Sequence, residues 1–282
     1  MVLSAKTKLK PVSSLREVVD YAHTLWPLSG AEAWDAPGLV VGSDQQKVTK
    51  ILLAVDAVSE TVEQAVEIGA DLLLTHHPLL MRGVTSVAEE RYKGALVSSL
   101  IRSNIALLAA HTNADVVENG VSDVIAQKLG LIATSAITSG TTPGTGIGRV
   151  GTLAEPQTLG SLARAVADLL PATAGGVKVS GDYNQVVSRV ALCGGAGDSL
   201  LSEEAVRSSD VYITSDLRHH PAQESREQSR ISGGPALIDV SHWASEWLWL
   251  DTAAAQLSQH FSDIEVLVSD VRTDPWDFVV VQ

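Results

Sequence analysis

The chain has 282 residues, of which 45% are hydrophobic and 19% charged, a composition typical of a folded globular protein. Its net charge of -13 at pH 7 leaves no excess of Lys and Arg for phosphates, which argues against nucleic acid as a partner. The single cysteine, Cys193, rules out a disulfide within the chain and a thiolate metal cage. No apolar stretch could span a bilayer, and Lys6, Lys8 and Lys10 precede no signal-peptide core, so we expect a cytoplasmic protein with no membrane partner.

The first half of the chain alternates between helix and strand patterns. In chain order we predict a helix over 14–25 capped by Ser14, a turn into a strand over 34–42, a strand over 50–56, a helix over 59–68, a strand over 71–75, a helix over 90–103, a strand over 105–110 and a helix over 121–129. This alternation predicts an α/β protein with a mostly parallel sheet.

A segment rich in Gly, Ser and Thr, over 138–149, is the best candidate for a linker. Beyond it we predict a strand over 149–153, a helix over 158–169 and a strand over 177–180. We expect two domains, a metal-binding one of residues 1–135 with 236–282 and a second one of residues 136–235.

The two halves share an order of elements. Aligning Ile51 with Val190 continues without a gap and matches Leu53 with Leu192, Ala57 with Ala196, Asp71 with Asp210 and Thr75 with Thr214. Few positions are identical, so chance remains an alternative, but the shared order favours an internal duplication. At the second strand end Ser215-Asp216 replaces His76-His77, which predicts a site on the first copy only.

Three apolar runs, over 71–75, 105–110 and 236–240, are followed at once or within two residues by histidine. Open α/β sheets bind their ligands at the carboxyl ends of strands. We therefore predict a metal site assembled from distant segments. The candidate side chains are His76, His77, His111, Asp115, His242 and Glu246.

The spacing within these motifs bears on the kind of site. His242 and Glu246 lie about 40° apart on a helix, although an ordinary amphipathic helix would have the same pattern. Neighbours on an extended chain point to opposite sides, so His76 and His77 favour two metals or a turned backbone. Asp115 could instead be a helix cap. A His and carboxylate set without Cys suits Zn, Fe(II), Mn or Co.

Three further residues have two interpretations each. His219 and His220 could line the same cleft from the second domain or lie in a solvated turn. Cys193 follows an apolar strand pattern and fits a small core residue better than a reactive thiol. No Gly-x-Ser-x-Gly nucleophile motif is present in the sequence.

Taken together, these motifs resemble the GTP cyclohydrolase I type 2 homologues, also called the NGG-one-interacting-factor-three-like family. The resemblance covers the whole length and rests on Trp34-Asp35, Gly38-Leu39, Gly42, Leu74 to Pro78, His111 to Asp115, Gly146 to Arg149, Tyr212 to Thr214, His219-His220, Asp239, His242 and Ser245-Glu246. The chain departs from the family at Ala36, commonly Asn, and at Ser241, commonly Gly.

The resemblance implies two similar three-layer α/β/α domains with mixed sheets, no additional inserted domain, and a metal site in the cleft between them. It implies two divalent ions, such as Zn, Fe or Mn, with Glu246 as a bridge and His111 beside the centre as a substrate-facing group. The implied ligands are His76, His77, Asp115, His242 and Glu246.

We expect a metal-dependent hydrolase that acts on a small, nucleotide-like molecule such as GTP, the substrate that the resemblance suggests. The alternative is a non-catalytic metal-binding or regulatory scaffold. The resemblance implies a tendency to assemble, since several family members form ring-like hexamers, and Trp243, Trp247 and Trp249 cannot all face one side of a helix. We therefore expect one Trp to face the other domain or another subunit, and the chain to form a homohexamer.

Overall fold

A computed structural model describes residues 12–281; Lys6, Lys8 and Lys10 lie outside this range. Within it the helices are α1 (Leu15–Leu25), α2 (Ser59–Glu67), α3 (Tyr92–Arg102), α4 (Thr112–Asp115), α5 (Val121–Lys128), α6 (Leu159–Leu169), α7 (Glu204–Arg207), α8 (His219–Ser232) and α9 (His242–His260). The strands are β1 (Gly38–Val41), β2 (Lys50–Ala54), β3 (Leu72–Thr75), β4 (Ala106–Ala109), β5 (Leu131–Ser135), β6 (Thr138–Ser139), β7 (Gly146–Ile147), β8 (Arg149–Thr158), β9 (Lys178–Ser180), β10 (Val186–Ala196), β11 (Val211–Ser215), β12 (Ala236–Val240) and β13 (Glu265–Val268). None of these helices combines the length and apolarity needed to cross a membrane.

The strands form two large mixed sheets, which confirms the predicted α/β class. The first has the order β1-β4-β3-β2-β13, with β1 antiparallel to its neighbour and the other pairs parallel. The second has the order β5-β8-β10-β11-β12-β9, with a parallel centre and antiparallel edges. Apart from Lys50 at the start of β2 and Thr75 at the end of β3, the central strands of the first sheet are apolar, as is typical of strands buried on both faces.

Helices cover both sheets, and one core joins them. The largest apolar cluster contains Leu53 and Leu74 from the first sheet, Leu192 and Ile213 from the second, and Trp249 of α9. A separate cluster places α2 and α3 on the other face of the first sheet, and a third lies between the second sheet and α7. The layer of helices between the sheets is therefore common to both halves.

The predicted element boundaries hold within a few residues, and three regions differ. Segment 138–149 contains a two-stranded hairpin, β6 with β7, rather than an irregular linker. Residues 219–232 form a helix, α8, that the sequence did not indicate. β12 pairs inside the second sheet, and the chain returns to the first sheet only at β13. Residues 236–240 therefore belong to the second sheet, and the segment that returns to the first sheet begins after them.

The matched positions of the two halves have equal places in the sheets. Ile51 pairs with Leu72 as Val190 pairs with Val211. The turn residue before each second strand acts alike. Asp71 Oδ2 accepts hydrogen bonds from the amides of residues 49 and 50, at 2.7 and 3.1 Å, and the equivalent Asp210 accepts from those of residues 188 and 189, both at 2.8 Å.

The Arg149 side chain stabilises the segment that leads into the second sheet. Its buried guanidinium donates to Asp123 Oδ1 at 3.0 Å and to the carbonyls of Gly146, Gly148 and Val117 at 2.8 to 2.9 Å. Loss of the guanidinium would leave a buried carboxylate and three carbonyls without their donor. Breaking a buried ion pair in this way costs about 3–5 kcal/mol.

We therefore expect Arg149→Met to lower the free energy of unfolding by about 3–5 kcal/mol, measured by urea denaturation. Arg164→Met is the matched control, because the Arg164 guanidinium is exposed and donates only to the Tyr183 hydroxyl. A surface change of this kind alters stability by about 0.5 kcal/mol or less. Equal losses in the two variants would show that the buried network contributes nothing.

Candidate metal centre

The predicted side chains reach one place because three segments end there. β3 ends at Thr75, and backbone hydrogen bonds from His76 and His77 to the β2 end, at 3.1 and 2.9 Å, hold the pair in a turn. β4 leads to His111 and then to Asp115 in α4. Asp115 lies in the first turn of α4, whose N-cap is His111, so it is not a helix cap.

The third segment is α9, which carries His242 and Glu246 one turn apart. Ser241 caps this helix: its Oγ accepts a hydrogen bond from the amide of Ala244 at 3.2 Å. Ser241 is the position where the family commonly has Gly, and the cap gives this departure a physical role. Ser, Thr, Asp and Asn at the N-cap satisfy an amide that the helix leaves free.

The Glu246 carboxylate lies at the middle of the cluster, and its side chain is only 4% exposed. Its oxygens lie 2.9 Å from His242 Nε2, 3.1 Å from His77 Nε2 and 3.5 Å from His76 Nε2. Asp115 Oδ1 approaches His76 Nε2 to 3.6 Å. The five predicted ligands therefore form one connected cluster, in which each contacts at least one other.

Each of the four imidazoles forms a hydrogen bond through Nδ1. The acceptors are Ala110 O for His76 at 2.9 Å, Asp56 Oδ1 for His77 at 2.7 Å, Asp35 Oδ1 for His111 at 2.8 Å and Asp216 Oδ2 for His242 at 2.7 Å. A carbonyl or carboxylate only accepts, so Nδ1 carries the hydrogen in every ring. The Nε2 atoms are then free to bind a cation, as in metal sites whose histidines have such partners.

Two observations test whether these residues fit a metal. His76 Nε2 and Glu246 Oε2 are buried and make no hydrogen bond with good geometry, although buried polar atoms normally have partners. Gly195 has a φ of +68°, and a Cβ built there would lie 2.5 Å from Glu246 Oε1 and 3.3 Å from His242 Nε2. The backbone thus leaves space around the ligand atoms, and the donor set fits a divalent ion.

The electrostatics of the cluster favour positive charge. Burial alone would raise the pKa of Glu246, but the neighbouring imidazoles, led by His77, hold it well below its usual range. Burial alone would lower the pKa of His242, but the Glu246 charge and the hydrogen bond to Asp216 raise it to about 10. The pKa of His77 is likewise raised well above its usual value, against burial, by Glu246 and Asp56.

Two other groups respond mainly to burial. Burial raises the pKa of Asp115 to about 6. Burial, with the charge of His76, lowers the pKa of His111 to about 4, so this imidazole is neutral at pH 7. A neutral imidazole is the form that binds metal. His111 has a ring nitrogen within 4.8 Å of nitrogens of His76 and His77.

Three carboxylates of the site, Asp35, Asp56 and Asp216, did not emerge from the sequence pattern as functional residues. A usable signal existed for Asp56 and Asp216, because each follows the end of a central strand, as the predicted histidines do.

The second histidine pair is not part of this cluster. His219 and His220 begin α8, are exposed, and contact each other with ring centroids 5.2 Å apart. They do not line the cavity beside the centre in the described part of the chain.

Two predicted structural roles have different outcomes. Cys193 is a buried core residue, as predicted, and burial raises the pKa of its thiol to about 12.

The chain itself covers the tryptophans of α9: Trp243 and Trp249 are buried, and Trp247 Nε1 donates to Ser269 O at 2.9 Å. These side chains therefore give no argument for a second subunit.

Fold and site together define an α/β protein with a histidine and carboxylate cluster of metal-binding type. The family model Duf34/NIF3 (NGG1p interacting factor 3) matches residues 13–275. The chain belongs to this family, as the sequence motifs predicted.

Named relatives agree with this assignment. The chain is 46% identical over 269 residues to the GTP cyclohydrolase 1 type 2 homolog of Streptomyces coelicolor, covering 93% of each chain. It is 32% identical to the protein of that name from Mycobacterium tuberculosis, covering 93% of this chain and 96% of the relative. That alignment runs over 371 residues, more than the 282 of this chain, so the mycobacterial relative has additional inserted sequence.

Solved structures show the same fold. A Staphylococcus aureus hypothetical protein is similar with a TM-score of 0.85 and 27% identity, covering 95% of this chain and 100% of that chain. A Bacillus cereus protein related to NIF3 has a TM-score of 0.85 at 22% identity, with the same coverage.

The close approach of Gly195 to Glu246 gives a test of the site. We expect Gly195→Ala to lower bound metal per chain, because the new Cβ would displace the Glu246 carboxylate. Gly69→Ala is the matched control: it has a similar φ of +64° but no atom within 4 Å of the added Cβ. Both variants bear the strain of a positive φ, about 1 kcal/mol. Elemental analysis after dialysis against Zn²⁺ compares them, and metal retention equal to the control would refute the close approach.

Proposed function

We propose that this protein is a hydrolase dependent on two divalent metal ions, acting on a small, nucleotide-like molecule. The observation that carries the proposal is the common orientation of four imidazoles. Each is anchored through Nδ1 by a carbonyl or carboxylate, and three of them, His76, His77 and His242, contact one buried glutamate. Rings anchored in this way each leave Nε2 available as a ligand once a cation takes the place of a proton.

The donor atoms support two ions rather than one. They form two overlapping groups, His76 with His77 and His111, and His77 with His242 and Glu246, each within 4.8 Å. Glu246 contacts histidines of both groups, which supports the bridging role that the resemblance implies. We propose His76, His77, Asp115, His242 and Glu246 as ligands, with His111 as an additional donor, and Zn, Fe or Mn as the metal.

Such ions supply Lewis-acid activation of a water nucleophile and of an electrophilic carbon or phosphorus centre. Residues of the chain orient the proposed ligands and leave space beside them. Asp56 and Asp216 fix the tautomers of His77 and His242, and Gly195 leaves room next to the carboxylate. The hydrolytic role is supported by the name of the relatives, GTP cyclohydrolase 1 type 2 homolog.

We also propose that the two halves arose by internal duplication and that the site lies in the cleft between two α/β domains. The equal registers of the paired strands and the equal hydrogen bonds of Asp71 and Asp210 support the duplication. The contact of 3.3 Å between His77, after the first sheet, and His242, after the second, supports the cleft.

Turnover separates this proposal from the alternative of a non-catalytic metal-binding scaffold. The chain, loaded separately with Zn²⁺, Mn²⁺ and Fe²⁺, is incubated with purine nucleosides, nucleotides and phosphodiesters, and the products are followed by chromatography. We expect ring opening or hydrolysis of at least one compound, abolished by a chelator and restored by metal. Stoichiometric metal without turnover of any compound would leave the scaffold role.

The bridging position of Glu246 predicts the largest single loss of metal. We expect Glu246→Ala to retain less metal than alanine variants of His76, His77, Asp115 or His242, because one carboxylate would offset the repulsion of both cations. Glu246→Gln, which keeps the shape without the charge, should lose metal similarly. The exposed Glu204→Ala is the control. Two ions per chain in Glu246→Ala would disprove the bridge.

We propose a homohexamer, in line with the resemblance. The proposal rests on that resemblance alone; Ile101 in α3 and Ile231 in α8 are 61% and 82% exposed and are available for contacts between subunits. We expect size-exclusion chromatography with light scattering to give a mass near six times the 29.7 kDa of one chain. A mass of one chain that persists across dilution would rule out the assembly.

A further inference from the structure

We propose that the cavity beside the metal centre binds an uncharged, planar heteroaromatic ring, such as a nucleoside or free base, rather than a nucleoside triphosphate, and that Trp276 stacks on this ring. This inference rests on the proposed function, because it names the substrate class of the same site. It follows from the walls of the cavity, from the segment that closes it and from the charges that face it.

The cavity has a volume of about 680 Å³ and includes both His77 and His242 in its wall. This volume is in the range of small-molecule sites, about 300–1,000 Å³. Lys178 of β9, Asp216 after β11 and Ser241 after β12 contribute to the wall. The cavity therefore joins the proposed metal centre to the second sheet, and a molecule in it would lie next to the metal ligands.

The chain's last described segment, residues 269–281, lies across this cavity and is tied to the centre. Ser269 N donates to Leu53 O at 2.8 Å. Thr273 Oγ1 donates to Asp56 Oδ2 at 2.5 Å, on the same carboxylate that holds His77. Asp274 accepts from the Ser241 hydroxyl and, at 3.1 Å, from the amide of Trp276. These bonds hold the Trp276 backbone at the cavity.

The aromatic side chains of this segment are exposed although the segment is anchored. Trp276 and Phe278 line the cavity and are 69% and 80% exposed. An indole whose backbone is held at the wall of a cavity, with most of its surface free, is a platform on which a planar ring can stack. We assign the stacking to Trp276, because its backbone is held by Asp274.

Apart from the proposed metal ligands His77 and His242, the charges facing the cavity oppose a polyphosphate. Four carboxylates line it, those of Asp56, Asp216, Asp239 and Asp274. Among the described lining residues, Lys178 is the single Lys or Arg, and its ammonium is paired with Asp239. Phosphate sites instead present free Arg or Lys side chains or helix N-termini.

Two of the described helices begin at the cavity. α2 has Val58 at its N-cap and follows Asp56, whose carboxylate also lines the cavity. α9 is already capped by Ser241. The Asp274 carboxylate bonds to the Ser241 hydroxyl and so places a negative charge at the end of the helix where a phosphate would bind. The cavity therefore suits the ring of a nucleotide-like molecule better than its phosphates.

Isothermal titration with guanosine, GMP and GTP tests the inference, on the full chain loaded with Zn²⁺ and on the metal-free chain, because the ions themselves attract phosphate. For the loaded chain we expect guanosine to bind at least about tenfold more tightly than GTP. Trp276→Ala should weaken guanosine binding about 5- to 150-fold, the range for one base stacked on an aromatic ring. Trp276→Phe should retain most of the affinity.

Two controls identify the cause. Tyr92→Ala removes an aromatic ring that is 67% exposed but away from the cavity, and it should leave guanosine binding unchanged. Asp239→Asn keeps the side-chain oxygen that accepts from Leu217 N but frees Lys178, so it should strengthen GTP binding more than guanosine binding.

The outcomes separate the two proposals. Tighter binding of GTP than of guanosine by the loaded chain, absence of guanosine binding, or equal guanosine affinity in Trp276→Ala would each overturn the ring assignment while leaving the metal centre intact. A chain that holds no metal but binds guanosine through Trp276 would uphold the ring site and overturn the proposed hydrolase.

Discussion

The structure of the site depends on one buried carboxylate. Glu246 is in contact with the imidazoles of His76, His77 and His242, and an isolated carboxylate at this depth would cost several kcal/mol to desolvate. Positive charge must therefore accompany it, either as protons on the imidazoles or as bound cations. Because the imidazoles come from segments that follow both sheets, this requirement also links the two halves of the chain.

Three further carboxylates orient imidazoles of the cluster around Glu246. Asp56, Asp35 and Asp216 bind the outer nitrogens of three imidazoles, and each comes from a loop rather than from the metal-ligand motifs. Such partners orient a ring, fix its tautomer and increase its basicity as a ligand. The loops can hold these positions because strands and helices on either side are packed into one continuous core.

The sequence predicted those parts of the fold and site that are local. Apolar runs that end in His76-His77 and His111 identified two strand ends, and Ser14 identified a helix start. The pairing of β12 with β11 could not be predicted in the same way, because apolar strands do not encode their neighbours. The helix α8 has no buried residue, so it lacks the apolar stripe by which an amphipathic helix is recognised.

The metal centre and the adjoining cavity share their charges, and this explains the kind of ligand the cavity would accept. Asp56 and Asp216 face the cavity because they stand behind His77 and His242, and Asp274 is there because it bonds to the cap of the helix that carries Glu246. The acidity of the wall is thus a consequence of orienting the ligands. Only His76 is oriented by a backbone carbonyl here, and the other three imidazoles are oriented by carboxylates. The negative charge of those carboxylates repels phosphates from the adjoining cavity. Selection for an uncharged ring then requires only a surface on which it can stack, and the segment over 269–281 supplies Trp276.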